Sequence, residues 1–261
     1  MAESRPTVAV YKFSSCDGCQ LSLLNMEDEI LDLAKAVDIA FFLEATRASR
    51  PGPYDIALVE GSITTEHEVT RIQEVRAQAT TLIALGTCAT AGGVQALRNF
   101  ADADEFASRV YPHPEYLSFL PTSKPISDYV KTDFELWGCP INKQELLQVI
   151  VALLNKRRPS LPAYPVCMEC KRRGASCVLV ASGTLCLGPA TQAGCGALCP
   201  GMGRGCYGCF GPSRHSNPDS LRATLLSLES RPGEAARLFR GISANAAIFR
   251  AAANELLGES R

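Results

Sequence analysis

The sequence predicts a doubly wound α/β domain built on a parallel sheet, followed by a small irregular cysteine-rich domain and C-terminal helices. Three observations predict it. Apolar, β-rich runs alternate with helical stretches between residues 7 and 154. Those runs are continuously apolar rather than alternating, as in strands covered on both faces. From Cys186 the periodicity gives way to CLGPATQAGCGALCPGMGRGCYGCFGP, too rich in Gly and Pro for a helix or a long strand.

TVAVYKF opens the chain as a strand and QLSLLNMEDEILDLAKA follows it as a helix. VDIAFFLEA and YDIALVEG are the next strands, with a helix over EHEVTRIQEVRAQ, and then come TTLIALGTCATAGG and DFELWGCP. Ahead of LLQVIVALL, Asn142 can cap a helix, and Glu145 three residues later gives the spacing of a capping box. This order of elements is flavodoxin-like. Beyond residue 214 two amphipathic helices are expected, Pro218 to Leu228 and Gly233 to Leu257, for packing or subunit contact. The division expected is 1–157 for the α/β domain, 158–213 for the cysteine-rich domain and 214–261 for the helical segment.

Composition narrows the chemistry. The chain is 46% hydrophobic with a formal net charge of -1, so it is globular and lacks the basic footprint of a nucleic-acid or anionic-membrane binder. MAESRPTVAVYKF has no basic n-region, twin-arginine pair or cleavage site, and no apolar run approaches the length of a membrane span. A cytoplasmic location follows as the expectation. In that reducing compartment twelve cysteines make a poor disulfide framework and a good set of metal ligands.

Cys16 and Cys19 follow the first strand, Cys88 the TTLIAL strand and Cys139 the FELW strand, while Glu60 and Gly61 leave YDIALV at the same edge. In a parallel sheet those loops lie side by side where ligands bind, so topology delivers four distant thiols to one place. Gly18, Gly86 and Gly138 beside them would let backbone approach a bulky ligand. A redox pair at Cys16-Asp-Gly-Cys19 would leave Cys88 and Cys139 without a role. Either of those two taken alone could be a small buried hydrophobe. A four-thiolate zinc site remains the rival, although structural zinc usually draws on two short knuckles.

The other eight thiols are Cys167, Cys170, Cys177, Cys186, Cys195, Cys199, Cys206 and Cys209. Thiolates separated by small residues and Pro, as in Cys195-Gly-Ala-Leu-Cys199-Pro200, suit cuboidal iron-sulfur clusters, around which the backbone must wrap closely. Zinc ribbons stay open for CMEC and CYGC taken singly. Twelve thiols divide into three sets of four, and three clusters in one small chain mean electron transfer. With no GxGxxG or Walker loop, and with His67, His113 and His215 dispersed, no flavin, nicotinamide or substrate site is predicted here.

Taken together, SSCDGCQLSLL, VEGSI, GTCATAGG, WGCPINK, CLGPATQAGCGALCP and GCYGCFGP closely resemble the small subunit of NiFe hydrogenases over residues 8–213. The likeness is to the cytoplasmic, NAD(P)-coupled bidirectional kind also called sulfhydrogenases. It implies a proximal 4Fe-4S cluster on Cys16, Cys19, Cys88 and Cys139, beside the NiFe centre of a separate large subunit. It further implies a distal 4Fe-4S cluster on Cys167, Cys170, Cys177 and Cys186 and a medial one on Cys195, Cys199, Cys206 and Cys209. In periplasmic uptake members a His stands where Cys167 is, and a Pro replaces the thiol that Cys199 supplies here. The related complex I subunit uses adjacent cysteines rather than Cys-Asp-Gly-Cys and lacks the eight-cysteine domain.

As partners the resemblance implies the NiFe large subunit, a flavin NAD(P) reductase subunit carrying FAD and NAD(P), and a ferredoxin-like iron-sulfur subunit. Coupling to a deazaflavin or heterodisulfide system is the alternative within this class. A zinc-stabilised non-enzymatic scaffold is the alternative outside it. Lys171, Arg172 and Arg173 beside CMEC read either as a patch for an acidic partner or as charge compensation at a surface turn.

Overall fold

Alternate residues of each strand pack on opposite faces of one sheet, which is why the strands read as unbroken apolar runs. In a computed structural model describing residues 5–228 and 230–259, Val8 and Val10 join a core with Leu23, Leu33, Leu58, Leu85 and Val149. Ala9 and Tyr11 join a second core with Ala57, Val59, Ile72, Val75 and Leu82. The first four residues of the N-terminal stretch read above lie outside the described residues.

The chain runs β1 (Thr7–Lys12), α1 (Gly18–Leu24), α2 (Asp28–Ala36), β2 (Asp38–Phe42), β3 (Tyr54–Glu60), α3 (Glu66–Gln78), β4 (Ala79–Leu85), α4 (Gly86–Ala91), α5 (Ala103–Val110), β5 (Phe134–Leu136) and α6 (Lys143–Leu154). All strand pairs are parallel, in the order β2-β1-β3-β4-β5. The doubly wound prediction is therefore met. The single helix expected after β1 is instead two, separated where Glu27 takes a left-handed φ of 54°. Asn142 caps α6 as expected, its side chain accepting from the Gln144 and Glu145 amides at 2.8 and 3.3 Å. The reciprocal capping box occurs at α3, between Thr65 and Glu68.

Beyond α6 come α7 (Val166–Arg172), α8 (Val178–Ser182), α9 (Leu198–Gly201), α10 (Pro218–Ser227), α11 (Pro232–Phe239) and α12 (Ala247–Leu257). The long helix expected from Gly233 is broken into α11 and α12, which pack on each other, Phe239 against Phe249 with ring centroids 5.8 Å apart. Breaking it lets both halves turn Ala and Phe residues inward. The result is a third core that the cysteine-rich segment shares: Val166, Leu187, Cys186 and Cys206 lie in it beside Leu225, Phe239, Phe249 and Ala253. Among the described residues no helix is long and apolar enough to cross a membrane.

Candidate metal centres

Parallel pairing brings the carboxyl ends of β1, β3, β4 and β5 into one row, and the first four cysteines emerge from it. Cys16 lies in the loop after β1, Cys19 in the first turn of α1, Cys88 in α4 and Cys139 just past β5. They lie near enough for their charges to act on one another. Burial pushes the Cys19 thiol far above its ordinary value, and the charges of Glu60, Cys88 and Cys139 add to the shift. Cys88 is pushed up to about 11 by burial, helped by Cys139, Cys16 and Glu60. Cys139 is raised by burial and then by Cys16 and Glu60.

Glu60 ends β3 with 1% exposure and accepts the Cys19 and Gln20 amides at 3.1 and 3.2 Å. Its carboxylate thus satisfies the free N-H groups that open α1 and holds Cys19 in place. Gly86, at φ +78°, must lack a side chain, because a Cβ there would run into the Cys19 sulfur. Gly93 plays the same part for Cys88: its Cβ would stand 2.5 Å from that sulfur. Gln95 donates to the Ser14 carbonyl at 2.7 Å while its own amide oxygen accepts the Cys88 thiol at 3.5 Å. Neither Gly93 nor Gln95 is found by sequence reasoning. The GG pair after Cys88 is the one signal that could have indicated Gly93.

The eight later cysteines couple both within and across the two sets expected from the sequence. Cys167 is pushed up to about 11 by burial and then by the charges of Cys186, Cys177 and Cys170. Cys170 is raised by burial and then by Cys177 and Cys186. Gly188 sits between two of these sulfurs, its would-be Cβ 3.3 Å from Cys186 and 3.6 Å from Cys167. In the other group Cys209 is pushed up to about 12 by burial, followed by the charges of Cys195, Cys139 and Cys199. Cys206 reaches about 12 chiefly through burial, with Cys186 and Cys209 contributing.

Two thiols therefore face across groups. Cys209 lies within the field of Cys139, and Cys206 within that of Cys186, whose sulfur accepts the Cys206 amide at 3.2 Å. The group of Cys195, Cys199, Cys206 and Cys209 is thus flanked by the other two. All twelve thiols are free. Among the described residues no three His, Cys, Asp or Glu side chains converge tightly enough to hold a single metal ion.

Basic residues beside CMEC are engaged locally. Arg172 donates to the Tyr164 hydroxyl at 2.8 Å and lies 4.9 Å over that ring, and Arg173 donates to the Gly196 carbonyl at 3.2 Å. Of the three histidines, His113 pairs with Glu115 at 3.0 Å on the surface, far in sequence from any thiol.

The chain is similar to known proteins over most of its length. Residues 16–153 match the family described as NADH ubiquinone oxidoreductase, 20 Kd subunit. Over 218 residues the chain is 40% identical to the Sulfhydrogenase 2 subunit delta of Pyrococcus furiosus, covering 84% of this chain and 91% of that protein. It is 34% identical over 258 residues to a vhu subunit of the F420-non-reducing hydrogenase of Methanocaldococcus jannaschii, covering 88% of this chain and 89% of that protein. Among solved structures, a chain of an NAD+-reducing [NiFe]-hydrogenase in the H2-reduced state superposes with a TM-score of 0.56 at 27% identity, covering 60% of this chain and 96% of that one.

Proposed function

The chain belongs to the NADH ubiquinone oxidoreductase 20 Kd subunit family as a small subunit of NiFe-hydrogenase type that works with a large NiFe subunit, and from that premise we propose that it relays electrons through three 4Fe-4S clusters. The ligand sets we propose are Cys16, Cys19, Cys88 and Cys139 for the proximal cluster, Cys195, Cys199, Cys206 and Cys209 for the medial, and Cys167, Cys170, Cys177 and Cys186 for the distal. With them goes the division at 157/158 and 213/214.

The observation that supports the reading is that charge coupling links thiols within each proposed four, with Cys139–Cys209 and Cys206–Cys186 coupling one four to the next. The donor set fits the group. Each four is all-thiolate, and apart from the exposed Cys16 and Cys177 the thiols are partly or wholly withdrawn from water. Bound clusters would supply one-electron exchange at low potential. This chain's own part is to position the sulfurs, to keep water from most of them, and to release the thiol protons when iron binds, since a ligating Cys is a thiolate.

The proximal set faces the NiFe subunit in this reading. Support comes from the segment that follows Cys88, where Val94, Phe106, Val110, Tyr111 and Tyr116 are apolar residues left exposed, Val94 beside the Gln95 that holds the Cys88 thiol. Such a patch suits a protein partner. Electrons then pass to a flavin NAD(P) reductase subunit and its ferredoxin-like companion in the cytoplasm. The NAD+-reducing hydrogenase that superposes on this chain supports that acceptor. A second reading, a hydrogenase serving an acceptor other than NAD(P), such as a heterodisulfide system, takes its support from a relative named only as F420-non-reducing, which matches 88% of this chain.

Iron, sulfide and paramagnetic resonance on the anaerobically purified complex test the relay; about four iron and four sulfide per cluster are expected. Stoichiometric zinc without sulfide would sink it.

A further inference from the structure

Glu169 stands between Cys167 and Cys170, two thiols of one group, yet its carboxylate serves the loop of another. Its Oε1 accepts the Gly194 amide at 3.0 Å and its Oε2 the Ala197 amide at 3.2 Å. Those amides flank Cys195, whose sulfur lies 4.0 Å from the same Oε2. The loop is fixed from other sides too. Asn142 Nδ2 donates to the Gly194 carbonyl at 2.6 Å, and a Cβ at Gly194 would stand 2.6 Å from Phe210 and 2.8 Å from the buried Glu145 carboxyl.

Backbone N-H groups beside a cysteine ligand commonly bond cluster sulfur, which stabilises the more negative reduced state and raises the potential. Here the Gly194 amide is occupied by a carboxylate, while the Ala197 amide is shared between that carboxylate and the Cys195 sulfur. A negative charge close to the ligand sulfur acts in the same direction, against reduction.

We propose that Glu169 is a positioning residue that locks the Cys195 loop onto α7 and keeps the cluster on Cys195 low in potential, by withholding the Gly194 amide from sulfur and by its own charge. This rests on the reading of Cys195 as a cluster ligand. A relay whose middle member sits too high would trap electrons there, so the residue bears on transfer in both directions.

The test is a redox titration of the assembled complex followed by paramagnetic resonance. Glu169→Gln removes the charge and presents a donor toward the Cys195 sulfur. Its reduction equilibrium should move at least tenfold toward the reduced form, about 59 mV for one electron, in the one cluster that Cys195→Ala also alters. Glu169→Asp keeps the charge one methylene further off and should shift the same cluster by less. Each variant is also measured with Glu145→Gln, which prevents the neighbouring carboxyl from ionising in compensation.

An unchanged potential in Glu169→Gln, an equal shift of all clusters, or a shift in Glu169→Asp as large as in Glu169→Gln overturns the proposal. Should Glu169→Gln not load its cluster, Glu169→Asp is read alone: a smaller upward shift in that cluster supports the role, and an unchanged potential or no loading ends it. A wild-type complex without any cluster would instead refute the relay, which separates the two failures.

Discussion

Thr87 donates its hydroxyl to the Cys209 carbonyl at 2.6 Å, tying the helix that carries Cys88 to the far end of the cysteine-rich segment. Thr87 is buried, and Cys139 and Cys209 face each other across the same seam. Thr87→Val keeps the shape and leaves the carbonyl unpaired, at a cost of about 1–3 kcal/mol. Thermal unfolding of the complex should show Thr87→Val melting earlier and Thr87→Ser melting with the wild type. Coincident melting of all three would show that this bond does not hold the seam.

Cys88→Ala should damage the same cluster as Cys16→Ala, although 72 residues separate them in the sequence. Paramagnetic resonance on the two variants decides it. Different clusters altered by the two changes would overturn the first ligand set.

Cys199→Ala should convert the cluster on Cys195, Cys206 and Cys209 to a three-iron centre, because three thiolates can hold three irons but not the fourth. Its spectrum and iron count report the loss directly. A spectrum identical to wild type would make Cys199 a bystander.

Gly86→Ala should prevent loading of the first cluster, since the new methyl would occupy the place of the Cys19 sulfur. Gly174→Ala is the control. Its φ of +68° carries a similar backbone cost, roughly 1–2 kcal/mol, but nothing lies within 4 Å of the added carbon. Iron content should fall in the first variant and hold in the second; an equal fall in both would trace the effect to backbone strain.

Hydrogen-dependent reduction of NAD and NADP by the intact complex, set against reduction of a viologen dye, tests the acceptor. Both activities are expected. Viologen reduction alone, with flavin present and every subunit in place, would transfer the assignment to the heterodisulfide reading.

Much of this was legible in the sequence because it depends on local rules. Apolar runs gave the strands, and parallel topology then put Cys16, Cys19, Cys88 and Cys139 at one edge. Asn142 announced its cap by type and spacing. What was not legible depends on contacts between distant residues. Glu27 breaks a helix that its neighbours would have continued, and nothing in MEDEI marks the break. Gln95, Glu169 and Thr87 are ordinary polar residues whose roles exist only once Ser14, Gly194 and Cys209 have been brought to them. Glu145 sits where a capping box would use it, yet it is buried against the Gly194 turn instead.

The core shared by Cys186, Cys206, Phe239 and Phe249 also makes two thiols depend on a distant part of the chain. Cys186 and Cys206 have an apolar wall behind them only once α11 and α12 have packed there. The setting of those sulfurs is thereby tied to two phenylalanines that lie well beyond the cysteine-rich segment.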